Sequence, residues 1–537
     1  MTRAFLRISA GLALAAAIAI LIAAVLGSLY AAAERFAITA SADAGIWRLL
    51  AGNLVQAGLS VVFSLAVGMA IAWALNRLAF PGRRLFLAFL STGLVLPALV
   101  IAFGVIAIWG RNGWVNHALD PMGLGLPGTI FGLHGILVAH VVLNGSFAAR
   151  IFSNRLDALP SPQLRLGQSL GLSPWRRFVT LDLPAMLPAL PGLTAIIFLV
   201  CFTSFAIVLV LGGGPANATF EVAIYEAAKI EFDLALAARL ALIQLVVCLI
   251  VIVPVNAFPV GSAMIGVGDA PRRWRDPAAL RWLQRSVLVL AGLGFGLPLL
   301  AIMWRGIGPE TLPALVSPAF ITALVTSLAI ATLSTVLCLA LALCLGLARA
   351  NVALVETITG KTRSLMKLFI NLPGFAYLAM PAVVLSLGFF LIARLAGFPP
   401  QTLAVPVLIL ANALLALPLS ASAIAPALEK LTRRTARLQV SLGLSGWRRF
   451  RAVEWPYIRP DLGYAAAIAF CFSLGDLGVI ALFGTSDFAT LPWLMYRAMG
   501  SYRTDLAAVI AMALLVLTLF VFLVLPRLIA GRSHARA

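Results

Sequence analysis

Twelve apolar runs, each long enough to cross a bilayer as a helix, divide this 537-residue chain. About 30 Å of hydrocarbon takes roughly 17–25 helical residues. The runs lie near 8–33, 50–75, 85–109, 129–151, 186–211, 236–258, 284–304, 318–348, 368–393, 402–425, 462–483 and 506–530. They are continuous in Leu, Ala, Val and Ile, whereas membrane-spanning strands alternate apolar and polar residues. With 62% of residues hydrophobic and 11% charged, the chain has too little polar surface to cover a soluble globule. The fold class expected is an all-α integral membrane protein of about 12 transmembrane helices. The first run follows Arg3 and Arg7 and ends in Ala31, Ala32 and Ala33, as a signal peptide does. Its apolar core exceeds the roughly 7–15 residues of one, so it is read as an uncleaved span.

Arginine and lysine mark the cytoplasmic ends of spans. Arg77, Arg83 and Arg84 follow the second span, Arg272, Arg273, Arg275, Arg281 and Arg285 the sixth, and Arg349, Lys361, Arg363 and Lys367 the eighth. This places both termini in the cytoplasm. The connections at 212–235 and 484–505, on the other face, mix bases with acids. Segregation of the +20 charge onto one face points to topology and membrane lipid rather than nucleic acid. Cys201, Cys248, Cys338, Cys344 and Cys471 all fall inside spans without metal-ligand spacing, and read as small packing residues.

The chain is also duplicated. RLGQSLGLSPWRRFVTLDLP, from Arg165 to Pro184, returns 272 residues later as RLQVSLGLSGWRRFRAVEWP, from Arg437 to Pro456, with 12 of 20 positions identical. At the same offset Pro188 matches Pro460, Ile196 matches Ile468, Gly212 matches Gly484 and Asp233 matches Asp505. In the third span LPALVIAFG from Leu96 matches MPAVVLSLG from Met380 at an offset of 284. Two parallel six-span halves follow, 1–268 and 284–537, joined by a cytoplasmic linker at 269–283. The path for a substrate is expected between them.

Each repeated passage lies in a polar loop, 161–184 or 432–456. Ser161-Pro162 suits a helix start, Gly171 a left-handed helix end, and Ser173-Pro174 a second start. Thr432, Gly443 and Ser445-Gly446 occupy comparable places in the other copy. An interfacial helix held by Trp175, Trp447 and the arginine pairs would account for the charges and the tryptophans. It would not account for the glycines, the fixed spacing to Pro184 and Pro456, or recurrence in both halves.

Glycine, nine residues, then apolar, any, apolar and proline (Gly171, Leu181, Leu183, Pro184; Gly443, Val453, Trp455, Pro456) resembles the EAA loop of binding-protein-dependent ABC importer permeases. The resemblance implies a type I permease fold in the bacterial inner membrane. It implies two copies of a cytoplasmic ATPase, one on each loop, and a periplasmic substrate-binding protein. The ATPase contacts it implies are Arg165, Leu166, Gly167, Gly171, Leu172 and Pro184, with Arg437, Leu438, Gln439, Gly443, Leu444 and Pro456. Arg165-Leu166-Gly167 and Arg437-Leu438-Gln439 replace the Glu-Ala-Ala that names the loop. ATP and magnesium belong to the partner, and this chain is expected to bind no cofactor or metal and to catalyse no reaction. Its nearest approach to a phosphate-binding loop, Gly360-Lys361-Thr362, lacks the upstream glycine.

The stretches from Ser204 and from Ser473 resemble the thiamine importer permeases, which also fuse two six-span halves. Ferric iron permeases share the architecture and are the alternative. Asp476 is the carboxylate well inside a span, and a buried acid there would suit a cation or serve as a structural group bonded to backbone. Ser204, its counterpart, and the matching pair His140 and Asn412 are further candidates for the path, or for helix-to-helix hydrogen bonds. Glu221, Tyr225, Glu226, Tyr496 and Arg497 are candidate binding-protein contacts, or parts of a solvated connecting helix. A secondary transporter using Asp476 as an ion carrier leaves the repeated loops unexplained. A membrane enzyme lacks a polar cluster within the bilayer.

Overall fold

The computed structural model describes residues 2–34, 40–120, 130–255, 276–360, 362–378 and 380–531. Among them, 11 helices are long and apolar enough to cross a membrane, and no strand occurs. The linker expected at 269–283 is described from residue 276 onward. The ninth run, 368–393, is two helices rather than one, Ser364–Leu378 and Ala382–Leu395. The third run divides in the same way, into Arg83–Thr92 and Ala98–Trp109. The cause is one residue at the offset of 284: Pro97 and Pro381 each stand extended before the second segment, with ψ of 129° and 156°. Proline brings no N–H and turns the residue before it away from helix, so the backbone breaks where the hydropathy does not.

The helices sort into two compact units, and these do not follow the repeat. One comprises Met1–Ile38, Ala223–Cys248 and Glu310–Ala537; the other comprises Thr39–Val222 and Leu249–Pro309. The first span of each half has therefore gone to the unit built mainly from the other half. In the first unit the helix Thr2–Ala33 packs along Pro318–Thr359, Ser364–Leu378 and Ala382–Leu395. In the second, Ala278–Gly306 packs along Ala98–Trp109 and Ala40–Arg77.

Small residues permit these crossings, as expected where lipid is as apolar as the protein and close van der Waals approach drives association. A Cβ on Gly388 would lie 2.4 Å from Val25 Cγ1, and one on Gly104 would lie 3.0 Å from Ile302 Cδ1. Gly104 and Gly388 are the last residues of the LPALVIAFG and MPAVVLSLG repeats. The repeated glycine thus marks where the exchanged helix seats. Ser28 adds a hydrogen bond there, its hydroxyl 3.3 Å from the Gly388 carbonyl.

Candidate functional site

The two repeated loops share one backbone design. Helix Ser161–Ser169 ends with Gly171 at φ +62°, its N–H donating to Gln168 O and the next N–H, of Leu172, to Gly167 O. In the other copy Gly443 has φ +61°, its N–H donates to Val440 O, and Leu444 N–H donates to Gln439 O. Both are Schellman ends, which satisfy orphan carbonyls and need a left-handed residue. Nothing lies within 4 Å of a Cβ built on either glycine. Conformation, not space, demands glycine at both positions.

The helix leading into each loop differs between copies. In the first it is a separate element whose cap position is taken by Pro160, one residue before the expected Ser161. In the second it is the end of one helix, Ala404–Ser441, so Thr432 is an interior residue rather than a cap. The helix runs on through Pro418 and Pro426. Thr432 instead accepts a hydrogen bond from Arg449 at 3.4 Å.

Past the glycine, a short helix (Pro174–Arg177; Gly446–Arg449) runs into a π-helical turn (Phe178–Asp182; Phe450–Glu454). Ser173 caps the first of these, its hydroxyl accepting from Arg176 N–H. Such turns squeeze an extra residue into a helix and recur at functional sites. Here they bury one carboxylate per loop, Asp182 or Glu454, which are equivalent at the offset of 272. Asp182 pairs with Arg77 of the second span. Glu454, 0% exposed, pairs with Arg449 at 2.8 Å and with Arg7 of the N-terminal helix at 3.0 Å.

A second carboxylate fixes the preceding span. Asp157 lies 3.8 Å from Arg83, and Glu429 lies 3.6 Å from Lys367. These are one pair twice, the acids related by 272 and the bases by 284. Sequence reasoning passed over all four acids, although the two offsets were enough to align them.

With these groups turned inward, apolar residues face out. Leu166 is 59% and Leu438 58% exposed, and Leu170, Leu442, Trp175 and Trp447 are exposed with them. Trp175 stacks on Phe178 and Trp447 on Phe450. Arg165 and Arg437 are exposed as well, whereas Gly167 and its equivalent Gln439 are buried. Each loop therefore exposes leucines on the helix before the left-handed turn and a tryptophan on the short helix after it, an arrangement suited to a groove in a soluble partner.

Residues 64–258 match the family described as "Binding-protein-dependent transport system inner membrane component". The thiamine transport system permease protein ThiP of Escherichia coli (strain K12) is 36% identical over 495 residues, 91% of this chain and 90% of that protein. ThiP of Salmonella typhimurium is 36% identical over 499 residues, 92% and 91% of the two chains. ThiP of Brucella melitensis biotype 1 is 34% identical over 507 residues, 93% and 91%. The chain belongs to this family of binding-protein-dependent permeases.

The four polar residues expected along the path each have a hydrogen-bond partner. His140 Nδ1 lies 3.0 Å from Gln56 Nε2 and 2.9 Å from Ser60 Oγ, and its Nε2 lies 3.0 Å from Ser204 Oγ. Asn412, the equivalent of His140, donates to Ser473 Oγ at 3.0 Å. Asp476 sits between helices Trp455–Gly475 and Gly478–Phe483 and accepts from the N–H groups of Gly478 at 3.2 Å and Val479 at 3.1 Å. A carboxylate there caps the second helix and meets the positive end of its dipole. Of the four candidates for the path, His140 and Ser204 are brought together, while Asn412 and Asp476 have separate partners.

The connections after the fifth and eleventh spans correct part of the sequence reading. Glu221 is 0% exposed and Tyr225 is buried, so neither offers its side chain to a partner in this conformation. Arg497 is exposed and Glu226 half-buried. Tyr225 and Tyr496 hydrogen-bond each other, and Trp493 lies against Tyr496. Lys229 donates to the carbonyls of Leu482 at 3.0 Å and Gly484 at 3.3 Å. Burial lowers the Lys229 ammonium below its ordinary range, and burial together with Glu231 raises the Glu226 carboxyl. A cavity of about 650 Å³ is lined by Arg497, Arg503, Asp487 and Ser486.

Proposed function

We propose that this chain is the fused permease of an ATP-driven thiamine importer, lying in the inner membrane with both termini in the cytoplasm. Two copies of a soluble ATPase engage the loops 161–184 and 432–456. A periplasmic binding protein delivers substrate on the opposite face, and closure of the ATPases moves the loops and opens the path by alternating access. The observation that carries this reading is the pair of loops with the same Schellman turn, the same buried carboxylate and the same exposed leucine and tryptophan. Relatives named for thiamine transport, aligned along nine-tenths of the chain, support the substrate.

ATP and magnesium are handled by the partner. The sequence supports this division, because Val355 stands where a phosphate-binding loop ending in Gly360-Lys361-Thr362 would need its upstream glycine. The arginine-rich span ends support the orientation.

The test is uptake of labelled thiamine into proteoliposomes holding this chain, its ATPase and its binding protein. Uptake that needs all three components and ATP is the expected outcome. Uptake of ferric iron in place of thiamine would replace the substrate. Uptake by the chain alone on an ion gradient would replace the class.

A further inference from the structure

We propose that the first span of each half carries the polar tether that positions the coupling loop of the other half. Arg7 performs this for the loop 432–456, and Gln284, acting through Asp276, performs it for the loop 161–184. The proposal rests on the loops being the ATPase contacts.

Arg7, in helix Thr2–Ala33, donates to both carboxylate oxygens of Glu454, at 3.2 and 3.0 Å, and to the Gly446 carbonyl at 2.8 Å. One guanidinium thus holds the π-helical turn and the start of the loop's second helix together. A planar fork with several fixed donors is suited to this, and a point charge is not. Arg449, within the loop, binds the same carboxylate.

The other loop shows the same arrangement with the charges redistributed. Arg177, the equivalent of Arg449, pairs with Asp276, and Asp276 accepts from Gln284 Nε2 at 2.9 Å. Gln284 lies in the helix Ala278–Gly306 and is fully buried. The packing is consistent with this correspondence. Val25 seats on Gly388, and Pro298 and Ile302 both lie 3.0 Å from a Cβ built on Gly104. With Ile302 as the counterpart of Val25, the offset of 277 sets Gln284 opposite Arg7, one on each exchanged helix.

These contacts are not backed by dense packing. A cavity of about 320 Å³ lies under the second loop, lined by Arg7, Asn351, Gln439, Gly443, Gly446 and Arg449. The amide oxygen of Gln439, a residue 3% exposed, has no hydrogen-bond partner there. With space beneath it, the loop is held to the exchanged helix by directional polar bonds. Motion imposed on a loop by the ATPase then passes to a helix that begins the opposite half, and the two halves respond together.

The test uses the complete complex in proteoliposomes, reading basal ATP hydrolysis, its stimulation by loaded binding protein, and thiamine taken up per ATP. Wild-type complex without stimulated hydrolysis would overturn the reading of the loops, and is seen before any variant is made. Given stimulation, Arg7→Met is expected to leave basal hydrolysis within about twofold and to lower stimulation and uptake per ATP at least about fivefold, the low end of site-to-site coupling. Arg7→Lys, which keeps the charge and loses the fork, should recover part of it. Gln284→Leu is expected to act in the same direction through the other loop, and combining it with Arg7→Met should deepen the loss. Full stimulation and coupling in both Arg7→Met and Gln284→Leu would overturn the tether. So would equal loss of basal activity and coupling in Arg7→Met and Arg7→Lys, which marks a role in assembly alone. Should Arg7→Met fail to accumulate, Gln284→Leu decides, since it removes no charge.

Discussion

Gly171 and Gly443 separate backbone conformation from packing within the chain, because both have positive φ and open space around the missing Cβ. A branched residue there meets the left-handed penalty of about 1–2 kcal/mol, with no clash to complicate the reading. Gly443→Val is therefore expected to weaken binding-protein-stimulated ATP hydrolysis, and Gly443→Asn, a residue that tolerates this conformation, to do so far less. Equal loss in both would show that something other than conformation holds the glycine. Asp476 poses the complementary case. Its oxygens already accept two backbone N–H bonds, and Asn caps a helix nearly as well as Asp. Asp476→Asn should leave thiamine uptake close to wild type, and Asp476→Ala should lower thermal stability by about 0.5–2 kcal/mol. Uptake abolished in Asp476→Asn with unchanged stability would make the charge part of the transport path.

At the level of elements, the third and fourth spans of the first half are joined by a buried ion pair, Arg83 with Asp157, and those of the second half by the half-buried pair Lys367 with Glu429. Removing one member of a buried pair strands the other charge, at a cost on the order of 3 kcal/mol. An exposed pair such as Arg433 with Glu429 is worth under about 1 kcal/mol. Thermal unfolding in detergent should therefore show Asp157→Asn far more damaging than Arg433→Ala, and similar shifts would mean that Arg83 finds another acceptor. What the sequence made legible here divides along physical lines. The left-handed turn at Gly171 was readable because glycine, spacing and repetition coincide. The breaks before Pro97 and Pro381 were passed over because hydropathy runs straight across them, although the prolines stood in view. The helix running through Thr432 reads as two because a capping residue and the prolines before it are local signals, and the packed helix continues through Pro418 and Pro426 all the same. Glu221 and Tyr225 looked like surface groups by residue type, and only packing shows that they are inside.

At the scale of the whole molecule, the repeat and the packing describe different objects. Duplication divides the chain near 269–283, yet each compact unit takes the first span of the other half, and a glycine repeated at 104 and 388 is the seat for that span. No pattern within a single half announces the exchange, because both helices are apolar between their polar ends and would satisfy a bilayer alone. The exchange has a consequence for the halves as separate proteins. A chain of residues 284–537 lacks the helix that covers Gly388 and Ala348, and it also lacks Arg7, which leaves Glu454 with Arg449 alone. A chain of residues 1–268 lacks the helix that covers Gly104, together with Asp276, the partner of Arg177, and Gln284, which holds Asp276. Expressed singly, each half should fail to accumulate. Expressed together as two chains, they should co-purify through a tag on either one and support binding-protein-stimulated ATP hydrolysis, since the exchanged helices find their seats without a covalent linker. A half that accumulates alone as a monodisperse membrane protein, with Gly388 or Gly104 uncovered, would show that the first span can return to its own half, and the exchange would then be one of two available packings.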